Sequence, residues 1–391
     1  MTIRKHEVPV LTAVFLDLLG FGMVIADIQL RAERLVPAGW KPGWIVGALL
    51  ASTFITQFIA SPRWGSLSDR TGRKAVIVTC TLLSASAMIV YGLADSLWLL
   101  AISRILSGLG AANIAVVQAW ISDRSDPEER SASLGRIGAA ISAGLVLGPP
   151  IGGFLAAQGG NHLLGLLAGG ASAVGALWIA LVLPNVKVTS EREPDKPRVI
   201  DLRLLKDLPE LRPFVLIAIV AWISLATLEG TFARLIHHLF GYDQRHFGII
   251  FGYESLLGIL IQASFIGYLV KRFGDSRMVR FGYLGQGIGL ALNPFAGLMA
   301  PAIAPFSLLL VASTLYAIGS SIANPTINGL CSRLTPDDRQ GELFGLLQGT
   351  RSIGFVIGPV VGGALFDANP PLPYLVAGAV CLGAALLVPR K

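Results

Sequence analysis

Long apolar runs alternate with short polar stretches along almost the whole chain. Each run has about 20 residues, which as an α-helix would cross the roughly 30 Å hydrocarbon core of a bilayer. We place helices near residues 9–31, 43–63, 74–94, 97–119, 131–157, 161–183, 212–236, 246–269, 277–299, 304–329, 341–366 and 371–388. The pattern therefore predicts an all-α membrane protein with twelve transmembrane helices.

One polar stretch is much longer than the others. Residues 184–211 are charged and contain several prolines, which is typical of a linker rather than of a membrane span. It separates two groups of six predicted helices. We expect an N-terminal half over residues 1–183, a cytoplasmic linker over 184–211 and a C-terminal half over 212–391.

The composition agrees with the pattern. Of the 391 residues, 53% are hydrophobic and only 14% are charged, whereas soluble proteins carry about 25% charged residues. Cys80, Cys331 and Cys381 lie in or at the end of apolar runs, with no spacing typical of a metal site or a disulfide framework. The N-terminal residues run directly into the first apolar segment without a small-residue cleavage site, which predicts a retained helix rather than a signal peptide.

The formal net charge of +7 follows the predicted topology. If the N-terminus is cytoplasmic, all but seven of the 31 basic residues fall in cytoplasmic segments or at the cytoplasmic ends of helices, as the positive-inside rule requires. The exceptions are Arg31, Arg34, Lys41, Arg104, Arg234, Arg245 and Arg351. The charge thus indicates a multi-pass protein of the cytoplasmic membrane with both termini inside, and it gives no reason to expect nucleic-acid binding.

The two halves repeat each other in sequence. Pro127 and Arg130 correspond to Pro336 and Arg339. Further matched positions are Gly65 and Gly72 with Gly267 and Gly274, and Gly144, Gly148, Pro149, Gly152 and Gly153 with Gly354, Gly358, Pro359, Gly362 and Gly363. Two similar six-helix halves, with a substrate site between them near the membrane midplane, are typical of secondary transporters.

The first cytoplasmic loop, GSLSDRTGRK over residues 65–74, carries a specific pattern. We expect Gly65 to allow close approach of two helices, Gly72 to form a turn with positive φ, and Arg70 and Arg73 to stay cytoplasmic. The stretch resembles the loop G-x-L-[SA]-D-[RK]-x-G-R-[RK] of the major facilitator superfamily, although any multi-pass protein can have a basic inner loop. We expect Asp69 to help close the inner side through a charge contact with Arg130 or the start of helix 11.

Two helices carry further likenesses to this family. In helix 5, Gly144, Gly148, Pro149, Gly152 and Gly153 fit the pattern G-x3-G-P-x2-G-G, which is associated mainly with drug:proton antiporters. Small residues at four-residue spacing allow close helix packing, and prolines permit a bend. Because helix 11 carries a second copy, the motif indicates either antiport or simply the shape of a helix interface.

The second likeness places a charge inside the membrane. Helix 4 resembles the family pattern R-x3-G-x-G-A-A, in which the arginine, here Arg104, is linked to proton transfer or substrate binding; a structural ion pair is the alternative. A buried charge costs about 3 kcal/mol or more unless it is paired or wet, so we expect Arg104 to face a central cavity, with Asp17 or Asp27 of helix 1 as partner. Asp27, Arg31 and Arg34 share one helix face, either as a binding site for a charged head group or as a solvated helix end.

The second half also has ionisable residues in its apolar runs, namely Glu229, Glu254 and Arg351. We expect Arg351 to pair with Glu254, or otherwise with Glu229. A carboxylate beside an arginine stays ionised, whereas one released into an apolar pocket takes up a proton, and this alternation is what proton coupling needs. Proton-coupling candidates are therefore Asp17, Asp27, Glu229 and Glu254, and substrate-binding candidates are Arg31, Arg104, Arg351, Gln57, Asn113, Gln118, Gln262 and Gln286.

Together these likenesses imply a secondary transporter similar to the twelve-helix drug:proton antiporter branch of the superfamily. Such a protein works by alternating access, here as proton-coupled export of a small amphipathic molecule by a monomer. The sequence lacks GxxxxGK[ST] and any enzymatic constellation, so we expect no enzyme activity and no cofactor, with the proton gradient as driving force. The alternatives are a proton-independent or uptake transporter for an organic anion or lipid-like amphiphile, and a transport-inactive receptor.

Overall fold

The computed structural model describes residues 7–124, 130–184, 203–297, 304–336 and 339–388, and this part of the chain forms helices and no strands. The α-helices are α1 (Glu7–Leu35), α2 (Pro42–Thr71), α3 (Arg73–Leu93), α4 (Leu97–Ala111), α5 (Asn113–Arg124), α6 (Arg130–Val182), α7 (Arg203–Asp207), α8 (Arg212–Phe240), α9 (Gln244–Ser264), α10 (Ile266–Phe273), α11 (Asp275–Leu292), α12 (Pro305–Leu334), α13 (Gln340–Ala368) and α14 (Leu372–Leu387). The predicted all-α class is confirmed.

Most helices are long enough to cross a membrane. Within the described ranges, nine spans have the length and apolar character that this requires, and α9 with α10 make a tenth if the pair, bent by 57°, is one span. The apolar α14 is shorter, and α11 is not among these spans. Because helices also lie at both of these remaining positions, the arrangement fits the predicted twelve-helix protein.

Several helix boundaries differ from the prediction. Helix α2 continues to Thr71, so most of the predicted loop after it is helical and the turn is Gly72 alone. Helix 4 is interrupted at Ala112 between α4 and α5. Side chains of α2 explain this break, because Trp64 Nε1 donates to the Leu109 carbonyl and Gln57 Nε2 donates to the Ala111 carbonyl, and carbonyls that bind side chains compete with the helical ladder.

A single glycine joins the two predicted helices over 131–157 and 161–183. Gly160 has φ of 64° and separates the spans Ser133–Gln158 and Gly160–Val182 of α6. Only glycine adopts this left-handed region at little cost, so the chain changes direction without a loop. Part of the predicted linker, 185–202, lies outside the described residues, while residues 203–207 of it form α7.

The chain divides into two compact units. The first comprises residues 1–37 and 52–197, and in it α6 packs on α1 and α3. The second comprises residues 38–51 and 198–391, and in it α8 packs on α13 while α11 packs on α12 and α14. Residues 38–51, which the predicted division assigns to the first half, therefore pack with the second unit. Helix α2 begins in the second unit and continues in the first.

The glycine motif and its copy have the same packing role in each unit. A Cβ atom on Gly148 would lie 2.6 Å from Gly22 Cα of α1. A Cβ atom on Gly358, the matched position, would lie 2.7 Å from Ala226 Cβ of α8. The absent side chains thus allow the backbone of one helix to rest on its neighbour, and the interpretation as helix-interface motifs is confirmed at these positions.

The loops after α2 and α10 also repeat in structure. Gly72 has φ of 97° and Gly274 has φ of 82°, and each precedes the next helix. In the first loop Arg73 lies 3.2 Å from Asp123, and in the second Asp275 lies 2.6 Å from Arg333. The same turn is therefore closed by an ion pair of opposite polarity in the two units.

Candidate functional site

A buried charged cluster in the first unit is centred on Tyr91 of α3. The Tyr91 hydroxyl donates a hydrogen bond to Asp27 Oδ2 on α1. The guanidinium groups of Arg31 and Arg104 each lie 5.1 Å from the centroid of the tyrosine ring. Asp27 and Arg104 are 1% exposed and Arg31 is 6% exposed. The charges are thus held together by hydrogen bonds and cation–π contacts away from solvent.

Asn161 of α6 completes this cluster. When the Asn161 amide is assigned with its nitrogen toward Asp27, the orientation that the neighbouring donors and acceptors require, the nitrogen donates to both carboxylate oxygens at 3.0 Å and the oxygen accepts from Arg31 Nε at 3.2 Å. Arg31 also donates to the backbone carbonyl oxygens of Tyr91, at 2.7 Å, and of Ala94. The prediction of a solvated helix end is therefore wrong for Asp27 and Arg31.

Two other arginines differ in their exposure to solvent. Arg34, on the same helix face as Asp27, is exposed as a helix end would be. Arg104 is buried, and its contact with the cluster runs through the Tyr91 ring rather than through either predicted aspartate. The prediction that Arg104 lines an open cavity does not describe this structure. Its Nη2 atom has no hydrogen-bond partner among the described residues.

Asp17 lies on α1, ten residues before Asp27, and has a different partner. Asn113, the first residue of α5, donates from its side-chain nitrogen to Asp17 Oδ2 at 3.3 Å. The break between α4 and α5 places this amide opposite α1. Asp17, a proton-coupling candidate, is therefore in contact with Asn113, a substrate-binding candidate.

A second charged group lies in the second unit. Glu229 of α8 and Arg351 of α13 are both partly buried and close enough for a direct electrostatic interaction. Glu254 of α9 instead neighbours Ser313, and its charge acts against that of Glu229. Of the two expected partners of Arg351, Glu229 is therefore the one whose charge acts on it, and a direct ion pair with either carboxylate stays a prediction.

Aromatic rings surround the Arg351 guanidinium. Its central carbon lies 5.2 Å from the Trp222 ring centroid and 5.6 Å from that of Phe355, and the two rings are 6.1 Å apart. Stacking of this kind stabilises a cation in an apolar setting. These rings help Arg351 to stay charged inside the membrane.

The predicted polar cavity residues differ in burial and in hydrogen bonding. Gln57 is bonded to the helix break at Ala111, and Gln118 and Gln262 are exposed. Gln286 of α11 is fully buried, and neither its side-chain oxygen nor its nitrogen has a hydrogen-bond partner among the described residues. These four amides therefore form no common site within either unit.

The inner-loop residues form a local ion-pair chain. Asp69, near the end of α2, lies 2.7 Å from Arg73, the first residue of α3, and Arg73 in turn lies 3.2 Å from Asp123. Arg70 is exposed. A Cβ on Gly65 would meet no described atom within 4 Å, so the expected close helix approach there is wrong. The Arg130 side chain lies outside the described residues.

Arg339, the repeat partner of Arg130, is described and makes two ion pairs. It lies 2.7 Å from Glu342 on α13 and 3.0 Å from Asp207 at the end of α7. The hydrogen bonds to Glu342 and then to Asp207 raise the pKa of the Arg339 guanidinium above its usual value. These contacts connect the segment before α8 with the start of α13.

Sequence reasoning missed Tyr91, Asn161, Trp222 and Asp367. A lone amide such as Asn161, next to a glycine that ends a helix, was a usable signal. A tyrosine or tryptophan in an apolar run gives no such signal, because most of them only pack. In the sequence, Asp367 is only a charged residue close to the end of an apolar run, the end of α13 in the structure, and nothing there predicts its contact with α2.

Comparisons with known proteins identify the family. The chain matches the model of the Major Facilitator Superfamily over residues 10–297 and 235–390. It is 27% identical over 379 residues to Multidrug resistance protein 2 of Bacillus subtilis (strain 168), covering 95% of this chain and 91% of that protein. It is 26% identical to Quinolone resistance protein NorA of Staphylococcus aureus, covering 96% and 93%.

Solved structures agree at the level of the fold. The nucleoside transporter NupG superposes with a TM-score of 0.77 at 14% identity, covering 99% of this chain and 100% of that one. The human organic anion transporter MFSD10 superposes with a TM-score of 0.67 at 19% identity, covering 99% and 100%. Since the family match and the helical fold extend over nearly the whole chain, this multi-pass membrane protein is a transporter, not an enzyme, and belongs to the Major Facilitator Superfamily.

Proposed function

We propose that this protein exports small amphipathic molecules in exchange for protons, by alternating access. The attraction between the opposite charges of Glu229 and Arg351, whose guanidinium lies 5.2 Å from the Trp222 ring centroid inside membrane-spanning helices, carries the proposal. The names of its relatives, multidrug and quinolone resistance proteins, support this substrate class. We further propose a cytoplasmic-membrane location with both termini inside, and a monomer.

Glu229 is the residue at which we place the exchange of proton for substrate. While Arg351 neutralises it, Glu229 stays ionised and needs no proton. When the pair separates, an ionised carboxylate in an apolar setting is costly, so the site takes up a proton instead. A cationic substrate that competes with Arg351 for Glu229 would bind one form of this carboxyl group and be displaced by protonation.

The other carboxylates have more limited parts in this scheme. Tyr91 and Asn161 already donate to Asp27, which is shielded from solvent. We therefore propose a structural role for Asp27. Glu254 and Asp17 remain candidate proton carriers, because each is partly exposed within its unit.

Reconstituted protein tests the proposal directly. Proteoliposomes with an imposed pH gradient would be given a cationic dye, a quinolone and an organic anion in turn. We expect gradient-driven movement of the cation or the quinolone, and loss of the gradient dependence in Glu229→Gln. Glu210→Gln, the same chemical change at an exposed position, is the control and should behave as wild type. A gradient response that persists in Glu229→Gln would contradict the role of this residue.

A second candidate function rests on the buried cluster in the first unit. Asp27 balances only one of the two arginines at Tyr91, and Arg104 Nη2 has no partner in the described part of the chain. Such a site favours an organic anion as substrate. Transport of the anion but not of the cation, indifferent to the pH gradient and lost in Arg104→Gln, would support this candidate.

A further inference from the structure

A carboxylate near the end of α13 holds the beginning of α2. Asp367 Oδ1 accepts a hydrogen bond from the Gly43 backbone nitrogen at 2.6 Å, and Oδ2 accepts one from the Trp44 nitrogen at 3.1 Å. Both donors belong to the first turn of α2, where backbone N–H groups have no partner within the helix. A negative charge at this end also interacts favourably with the helix dipole. Asp367 therefore caps α2 from another helix.

The surrounding contacts make this cap tight. The Asp367 side chain is 6% exposed, and the Arg234 guanidinium lies 4.0 Å from it and stacks 4.2 Å from the Phe366 ring. Gly43 leaves no space for a side chain, because a Cβ there would collide with the Gly363 carbonyl oxygen and with Asp367 itself. The two helices thus approach through glycine backbone, and the carboxylate closes the contact.

The position of α2 gives the cap its significance. Residues 38–51 pack with the second unit, whereas residues 52–71 of the same helix pack with the first. The beginning of α2 is therefore held by contacts with the second unit, and the cap is one of these contacts. The cap holds the first turn of α2. This end of the helix is the one farther from the cytoplasmic Gly72 loop, so the proposed topology places it outside.

We propose that Asp367 is a gating residue, whose capping of Gly43 and Trp44 holds the start of α2 on α13 and must be released in each cycle. We call these three residues the outer latch. The inference rests on the proposed function, since a gate has meaning only for a transporter. It predicts that weakening the cap increases the population in which the start of α2 has left α13.

Spin labels on two exposed residues measure this separation. Cysteines would replace Trp40, just before α2, and Ala368, next to Asp367 on α13; both positions are exposed. The native Cys80, Cys331 and Cys381 are buried and free. Pulsed electron resonance in lipid nanodiscs then gives the distance distribution without substrate or proton gradient.

Asp367→Asn removes the negative charge and replaces one of the two acceptor oxygens with an NH2 donor, so one of the two backbone N–H groups loses its acceptor. We expect the ratio of long to short distances to rise about tenfold over wild type, the size expected for loss of a charge-assisted hydrogen bond. Asp95→Asn, the same change at an exposed position at the same end of the helices, is the control and should leave the distribution unchanged. An unchanged distribution in Asp367→Asn, or an equal shift in Asp95→Asn, would overturn the proposal.

A second pair of variants tests the donor side of the latch. Trp44→Pro removes one donated hydrogen, and proline is tolerated in the first turn of a helix; Trp44→Ala removes the same side chain but keeps the hydrogen. The proposal requires a longer distance in the proline variant only, and equal shifts in both would overturn it. These distances are measured without substrate. If they change as predicted but the protein does not export drugs, the proposed substrate class is contradicted and the proposed role of Asp367 is not.

Discussion

A close helix contact in the first unit gives a prediction whose size can be worked out. In Gly148→Ala, the new methyl group would lie 2.6 Å from Gly22 Cα and 2.8 Å from the Leu19 carbonyl oxygen. Carbon atoms pack best about 3.5–4.0 Å apart, so α1 must move by about 1 Å or more. A tilt of α1 about this point would not relieve the clash, because Gly144 and Gly152 make similarly close contacts with α1 on either side of Gly148. Overpacking of this kind costs about 1–3 kcal/mol.

Gly138 supplies a matched control on the same helix. It is exposed, and a Cβ atom there would meet no described atom within 4 Å. Alanine is preferred to glycine in a helix interior by about 1 kcal/mol, and this gain applies equally to both substitutions. The difference in the free energy of unfolding between Gly138→Ala and Gly148→Ala is therefore the packing strain itself, about 1–3 kcal/mol.

Thermal unfolding in detergent measures this difference. We expect Gly138→Ala to unfold at or slightly above the wild-type temperature, and Gly148→Ala to unfold about 2–6 °C below Gly138→Ala, at roughly 2 °C for each kcal/mol of strain. Size-exclusion profiles would check that both variants remain folded before heating. If Gly148→Ala is as stable as Gly138→Ala, the close approach of α1 and α6 is not what the glycine motif provides.

Three further predictions concern single side chains. Tyr91→Phe leaves Asp27 without its buried donor and should lower the free energy of unfolding by about 1.5–3 kcal/mol; an unchanged melting temperature would contradict the cluster. Arg351→Lys keeps the charge but loses the aromatic stacking, so export should weaken while its pH dependence remains; lost pH dependence would contradict the charge role. Burial acts to raise the pKa of Asp243, but hydrogen bonds, chiefly from His246, outweigh it and hold this pKa below its usual value. The capping by Asp243 therefore stabilises α9 above the unfolded pKa of about 3.9 and is lost as the pH falls through the folded value. The melting difference between wild type and Asp243→Ala should accordingly shrink below about pH 4, and a constant difference would refute the cap.

Hydrophobic patterning was sufficient to predict the class and most helices, since spanning length and apolar character are set by the bilayer itself. The internal repeat was also readable, and Gly72 and Gly274 share the same backbone conformation. Helix ends were less predictable. The break at Ala112 depends on side chains of α2 that bond carbonyls more than 40 positions along the chain, and no local pattern contains this information.

The candidate sites show the same limit. The sequence indicates that Asp27, Arg104, Glu229 and Arg351 are costly in a membrane, which is a property of each residue alone. Their partners depend on packing. The Tyr91 ring, which no sequence pattern singles out, lies 5.1 Å from the Arg104 guanidinium, and Arg351 lies beside the rings of Trp222 and Phe355. The sequence therefore indicates which residues need a partner, whereas the packing of the helices decides which partner each one has.

Proton movement linked to substrate movement tests the central claim most directly. Proteoliposomes without a pH gradient would receive a concentrated transported drug on one side, while a trapped dye records the internal pH. We predict that downhill drug movement drives protons in the opposite direction in wild-type protein. In Glu229→Gln the drug should still bind or exchange while the internal pH stays constant. Drug movement by the wild-type protein with no change in internal pH would contradict proton-coupled export.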